Sequence, residues 1–89
     1  MLFDFDAALR RMPRTFDSHD FIRVWSRDNQ KPYIKFLSEQ TGEKPFMSAH
    51  SKIARELNQY SKQVRQAGKV TSADIFGEQA RCMSWQKLH

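Results

Sequence analysis

Eighty-nine residues with 39% hydrophobic content, among them seven Phe, two Trp and two Tyr, make one small domain with apolar mass for a single core, and exclude a disordered chain. Fifteen Lys and Arg against ten Asp and Glu give a net charge of +5, unevenly spread: residues 1–46 hold eight basic against seven acidic side chains, residues 47–89 seven against three. No apolar run approaches the roughly 20 residues of a membrane span, the acidic start Met1-Leu2-Phe3-Asp4-Phe5-Asp6 is not a signal peptide, and a lone Cys82 excludes an intramolecular disulfide and a cysteine-cluster zinc site. A reducing, cytoplasmic setting is expected. A basic half beside a near-neutral half suits nucleic acid or another polyanion.

Phe5, Ala8, Leu9 and Met12 recur at i, i+3, i+4 and i+7, which predicts a short amphipathic helix over Asp4–Met12, ended by Pro13. Its apolar face suits a lid on the core, and it is also the obvious surface for a homodimer. Arg10, Arg11 and Arg14 cluster at its end. Thr15-Phe16 reads as a very short strand. Asp17-Ser18 then supply an N-cap for a helix over His19–Arg27 with Phe21, Ile22 and Trp25 inward. Asp28-Asn29 is a break. Pro32 fits the first turn of the next helix, which carries Tyr33, Ile34, Phe36 and Leu37 and stops before Gly42.

Pro45-Phe46 leads into the longest amphipathic stretch, predicted to run to Val64 or Ala67. On a helical wheel Ile53, Leu57, Tyr60 and Val64 fall on one side. Ser48, Ser51, Lys52, Arg55, Gln59 and Lys62 fall on the other. That second face is wholly cationic or hydrogen-bonding, the composition with which a helix reads base edges and holds phosphates. Gly68 is expected to stop the helix. Lys69–Ser72 and Arg81–Leu88 are strand-like, with a turn over Ala73–Gln79 between them, and predict a hairpin with Phe76 at its tip.

The fold class expected is therefore mainly α with a small C-terminal β-hairpin. The order of elements resembles the winged helix-turn-helix superfamily. Pro32–Gln40 stands for the helix before the recognition helix, Ser48–Lys62 for the recognition helix, and Val70–Trp85 for the wing. The expected single domain divides into an extra helix over 1–13, two core helices over 18–42, the recognition helix over 46–64 and the wing over 69–88. The loop Thr41–Phe46 is longer than a standard tight turn, and the first helix lies outside the minimal fold.

The resemblance implies a double-stranded DNA partner and a regulatory role in transcription. Arg55, Gln59 and Ser51, at spacings of four, would reach base edges. Ser48 shares that polar face. Lys52, Lys62, Arg65 and Lys69 would hold phosphates, joined by Arg81 from the wing. The rival reading is a protein-interaction module of the same fold, with a domain lacking any nucleic-acid role as a third.

Enzyme chemistry is not expected. His19 and Asp20 are adjacent and cannot face each other on a helix; His50 falls beside the apolar face as a half-buried histidine. Gly42, Gly68 and Gly77 are single glycines and make no phosphate loop. No metal, cofactor or small-molecule ligand is expected, and Cys82 reads as a small core residue on a strand.

Overall fold

The computed structural model describes residues 3–89; Met1 and Leu2, the start of the predicted 1–13 segment, lie outside the described residues. Helix α1 (Asp6–Arg11) presses Ala8 and Leu9 onto the core, with Phe5 and Met12 buried at either end. The predicted apolar stripe is thus spent on the domain's own interior, and Arg10 and Arg11 point outward. Strand β1 (Thr15–Asp17) runs straight into helix α2 (Ser18–Asp28). Asp17 caps α2: its carboxylate accepts the Asp20 N–H at 2.9 Å, and the Asp20 carboxylate accepts the Asp17 N–H at 3.5 Å. Phe21, Ile22 and Trp25 face the core as the spacing predicts.

Asn29 separates α2 from α3 (Gln30–Ser38), donating its side-chain amide to the Trp25 carbonyl at 3.0 Å. No α3 residue is fully buried. Helix α4 (Pro45–Glu56) starts with Pro45 in its first turn, where a missing N–H costs nothing. A 3-10 turn (Leu57–Tyr60) follows, then strands β2 (Val64–Ala73) and β3 (Gln79–Lys87). The antiparallel sheet has the order β1-β3-β2, with Phe16 opposite Trp85 on one side of β3 and Gln66 opposite Trp85 on the other.

Three expectations are corrected here. The domain is not mainly α with a small C-terminal hairpin: 48% of the described residues are helical, 25% are strand, and β1 pairs with β3 to make a sheet of three strands. Thr15-Phe16 shows strand character in the sequence, but its partner lies about 70 residues downstream.

The long amphipathic helix is also shorter than predicted. α4 ends at Glu56, so Gln59 lies in the 3-10 turn, Lys62 in the following turn and Val64 in a strand. A 3-10 turn has three residues per turn, so Leu57 and Tyr60 stay on one side although the α-helix has ended. Both are buried, and the apolar stripe therefore passes through the boundary without a sign. Third, Gly68 does not stop a helix. It sits inside β2 at φ +100°, where the register with β3 shifts between Gln66 and Lys69. An extra residue there makes a bulge, and positive φ favours glycine.

The core is aromatic. Phe5 packs edge-on to Phe21 at 4.7 Å and stacks on Tyr60 at 5.3 Å, and Phe3 meets the Trp25 ring at 4.7 Å. The Tyr60 hydroxyl accepts the Phe5 N–H at 2.9 Å and donates to the Phe3 carbonyl at 2.7 Å, fixing the N-terminal segment to the 3-10 turn. Both tryptophans are core residues, each 2% exposed. Buried Ser18 joins helices to sheet: its hydroxyl accepts the Trp85 indole N–H at 2.9 Å and donates to the Met83 carbonyl at 3.3 Å.

Ser18→Ala leaves the buried indole N–H without a partner, a change that costs about 1–3 kcal/mol. Thermal denaturation is expected to show a clear fall in Tm. Ser38→Ala, at an exposed hydroxyl bonded only to the Lys35 carbonyl, should move the midpoint by a small fraction of that.

Candidate nucleic-acid interface

Between α4 and the β2–β3 hairpin lies a cleft of about 490 Å³. Ser51, Arg55 and Asn58 line it from the helical side, Gln66 and Lys69 from β2, and Arg81 and Met83 from β3. Buried Ile22 and Trp85 close its floor. In a regular strand Gln66 and Lys69 would point to opposite faces, being three residues apart. The bulge at Gly68 resets the phase. Gln66 lies opposite Trp85 and Lys69 opposite Met83, both cleft-lining residues, so one glycine brings a cation into the cleft.

The lining contains Arg55, Lys69 and Arg81 and no carboxylate. Among the described residues the ion pairs are Arg11–Asp28, Arg23–Asp20 and Arg27–Asp28, all on α1 and α2. Among the described residues none of the three cleft cations is in one of these pairs. Three of the seven cations of the second half thus face one concave surface, while three of the five arginines of the first half are ion-paired.

The other predicted contact residues lie elsewhere. Ser48 and Lys52 both donate to the Gln40 side-chain oxygen at 2.9 Å, tying α4 to the end of α3. Arg65 gives two hydrogen bonds to Gln86, at 3.1 and 2.7 Å. Gln59 is exposed on the 3-10 turn. Lys62 is exposed in the next turn, where its carbonyl lies 3.0 Å from His89 Nε2. Ser51, Arg55, Lys69 and Arg81 are therefore brought together, and Ser48, Lys52, Gln59, Lys62 and Arg65 are not part of the cleft lining.

Sequence reasoning missed Asn58, Gln66, His19 and Cys82, all of which border the cleft. Gln66 donates to Asn58 at 2.8 Å, linking β2 to the 3-10 turn. The strand pattern in the sequence begins only after Gly68, whereas β2 starts at Val64, so Gln66 has no strand signal of its own. Cys82 is half-buried at the cleft and not a core residue. His19, in the first turn of α2 as expected, places Nδ1 2.8 Å from Ser72 Oγ, which lies 3.7 Å from Cys82 Sγ. Asp17, His19 and Cys82 offer ligand-type atoms that all lie within 4.8 Å of one another.

Aromatic side chains continue the surface beyond the cleft. The Tyr33 hydroxyl lies 2.7 Å from His50 Nε2, and His50 meets Phe46 edge-on at 5.9 Å. Phe46 in turn packs edge-on against Phe76 at 5.0 Å, although Phe76 is 59% exposed. The hairpin tip is ordered by Asp74, whose carboxylate accepts the N–H groups of Glu78 at 3.0 Å and Phe76 at 2.9 Å. Those bonds, the one from Glu78 foremost, hold its carboxyl below the ordinary range. Arg23 fastens the tip to α2 through the carbonyls of Ala73 and, at 2.7 Å, Asp74.

No family model matches the chain, and neither a curated protein nor a solved structure is significantly similar to it. Among the described residues no helix is long and apolar enough to cross a membrane.

Burial pushes the His50 imidazole below its ordinary value of 6.5; Asp74 opposes that shift and His19 adds to it. A histidine with a depressed folded pKa stabilises the fold above its unfolded pKa, and that contribution is lost as pH falls through the folded value. The Tm is therefore expected to decline as pH falls below the ordinary histidine value of 6.5. His50→Gln, which cannot titrate, should show a shallower decline in the same thermal scans.

Proposed function

We propose that this domain binds double-stranded DNA, seating the phosphate backbone in the cleft between α4 and the β2–β3 hairpin. The mode is the helix-plus-wing contact that the winged helix-turn-helix resemblance implies. The observation that carries the reading is the convergence of Arg55, Lys69 and Arg81, from three separate elements, on a concave surface whose lining has no carboxylate. Like charges gathered without counter-charges repel one another, and a polyanion relieves that repulsion. Ser51, Asn58 and Gln66 supply neutral hydrogen-bonding groups beside the cations, suited to phosphate oxygens and base edges.

In this reading Arg55, on the last turn of α4, is the residue that reaches bases. Lys69 and Arg81 hold phosphates from the hairpin. Ser48 and Lys52 support the surface indirectly by fixing α4 to Gln40. A role in regulating transcription, in the cytoplasm, follows from the common use of such modules and from no feature of this chain alone.

A protein partner is the second reading. What favours it is the exposed apolar edge of Phe46, Met47 and Phe76, with Met47 64% exposed. The two readings differ in salt dependence. Counterion release makes DNA affinity fall linearly in log–log salt, by roughly 0.9 in slope per phosphate contacted.

Fluorescence anisotropy with random-sequence duplex DNA should show saturable binding that weakens steeply with salt. Lys69→Ala and Arg81→Ala should each lower the salt slope by about one contact. Lys62→Ala, outside the cleft, should leave the slope close to that of the parent protein. Absence of binding at low salt by a folded sample would remove the DNA reading. Equal losses at Lys62 and Lys69 would remove the cleft from it.

A further inference from the structure

We infer that Asp17, His19 and Cys82 form a binding site for a divalent transition-metal ion of the zinc type at the side of the cleft. The three residues come from the end of β1, the first turn of α2 and the middle of β3. Only the tertiary fold brings them together, with ligand-type atoms mutually within 4.8 Å. Zinc bonds of about 2.0–2.3 Å in a tetrahedron put ligand atoms roughly 3.3–3.8 Å apart. Closing the observed group onto an ion therefore takes side-chain adjustments of about an ångström and no rearrangement of the backbone.

The donors suit that ion and few others. A carboxylate oxygen, an imidazole nitrogen and a thiolate sulfur match zinc and its neighbours, whereas calcium and magnesium take oxygen ligands. One carboxylate and one thiolate balance the double charge of the ion. As the metal–sulfur bond forms, the Cys82 thiol proton passes to solvent, and no electrons change hands.

The surroundings are arranged for this role. Asp17 uses Oδ1 to cap α2 through the Asp20 N–H, which leaves Oδ2 for a metal without loss of the cap. Ser72 Oγ, next to both His19 and Cys82, is placed to orient the imidazole and thiol from the outer shell. Three protein ligands leave a fourth position for water, as in open zinc sites, on the side where His19 and Cys82 border the cleft. The site stands independently of what the cleft binds.

The test is anaerobic titration of the reduced full chain with Co²⁺, followed by displacement with Zn²⁺. One equivalent should produce a near-ultraviolet thiolate-to-cobalt charge-transfer band and the visible bands of tetrahedral cobalt, and zinc should abolish both. Cys82→Ser should lose the charge-transfer band. His19→Gln should keep it but weaken affinity at least tenfold. Asp17→Asn, which preserves an N-cap, should also weaken affinity, and circular dichroism should report all three variants as folded. His89→Gln serves as the control and should bind like the parent. A folded parent protein that develops no thiolate–cobalt band at one equivalent would overturn the inference. So would a parent-like affinity in His19→Gln.

Discussion

Among the described residues strand β3 is the only strand paired on both sides, and Trp85, towards its C-terminal end, lies opposite Phe16 on one flank and Gln66 on the other. Its indole ring is buried in the core and its N–H is taken up by Ser18, the first residue of α2. Ser18 also holds the Met83 carbonyl. A single hydroxyl therefore sets where the helices begin relative to the sheet. The cleft, which has α4 on one wall and the hairpin on the other, inherits its geometry from that joint. Buried polar links of this kind are costly to leave half made, and so they hold one arrangement of the layers where an apolar contact would tolerate several.

The second constraint is electrostatic. In the N-terminal half, Arg11 on α1 and Arg23 and Arg27 on α2 are paired with Asp20 and Asp28. In the C-terminal half, Arg55, Lys69 and Arg81 share a concave wall, and among the described residues none of them is in an ion pair. Exposed ion pairs contribute at most about 1 kcal/mol each, so the pairs on α1 and α2 do little for stability. Their consequence is for the field: they lower the positive potential beside Asp20 and Asp28, while that of the cleft cations is left uncompensated. At physiological ionic strength that field reaches about 8 Å, which is enough for a phosphate backbone lying in or across the cleft.

Local signals in the chain carried the early elements well. The Asp17 cap, the break at Asn29 and the prolines at 32 and 45 each act through the residue's own backbone chemistry, and α2, α3 and α4 begin close to where those residues place them. What failed depended on contacts distant in sequence or on a change of helix type. Thr15-Phe16 is readable as a strand but not as the edge of a sheet, because Trp85 makes it one. The stripe Ile53, Leu57, Tyr60 and Val64 keeps its phase from α-helix through 3-10 turn into strand. Gly68 is readable as a special position, but whether it ends a helix or bulges a strand is decided by β3. The same holds for the site. Ser51, Arg55, Lys69 and Arg81 were legible as polar or cationic positions, but Ser48 and Lys52 were taken up by Gln40, and the proximity of Asp17, His19 and Cys82 exists only once α2 docks on the hairpin.

The central claim is that the cleft between α4 and the hairpin is the nucleic-acid surface. The most direct measurement is a two-dimensional amide NMR titration of isotope-labelled protein with a short random-sequence duplex at low salt. The account predicts shifts concentrated at residues 51–58, 66–70 and 80–83, with the outer faces of α1 and α2 near their free positions. Shifts centred on α1 or on Arg23 and Arg27, or a spectrum unchanged by excess duplex, would contradict it.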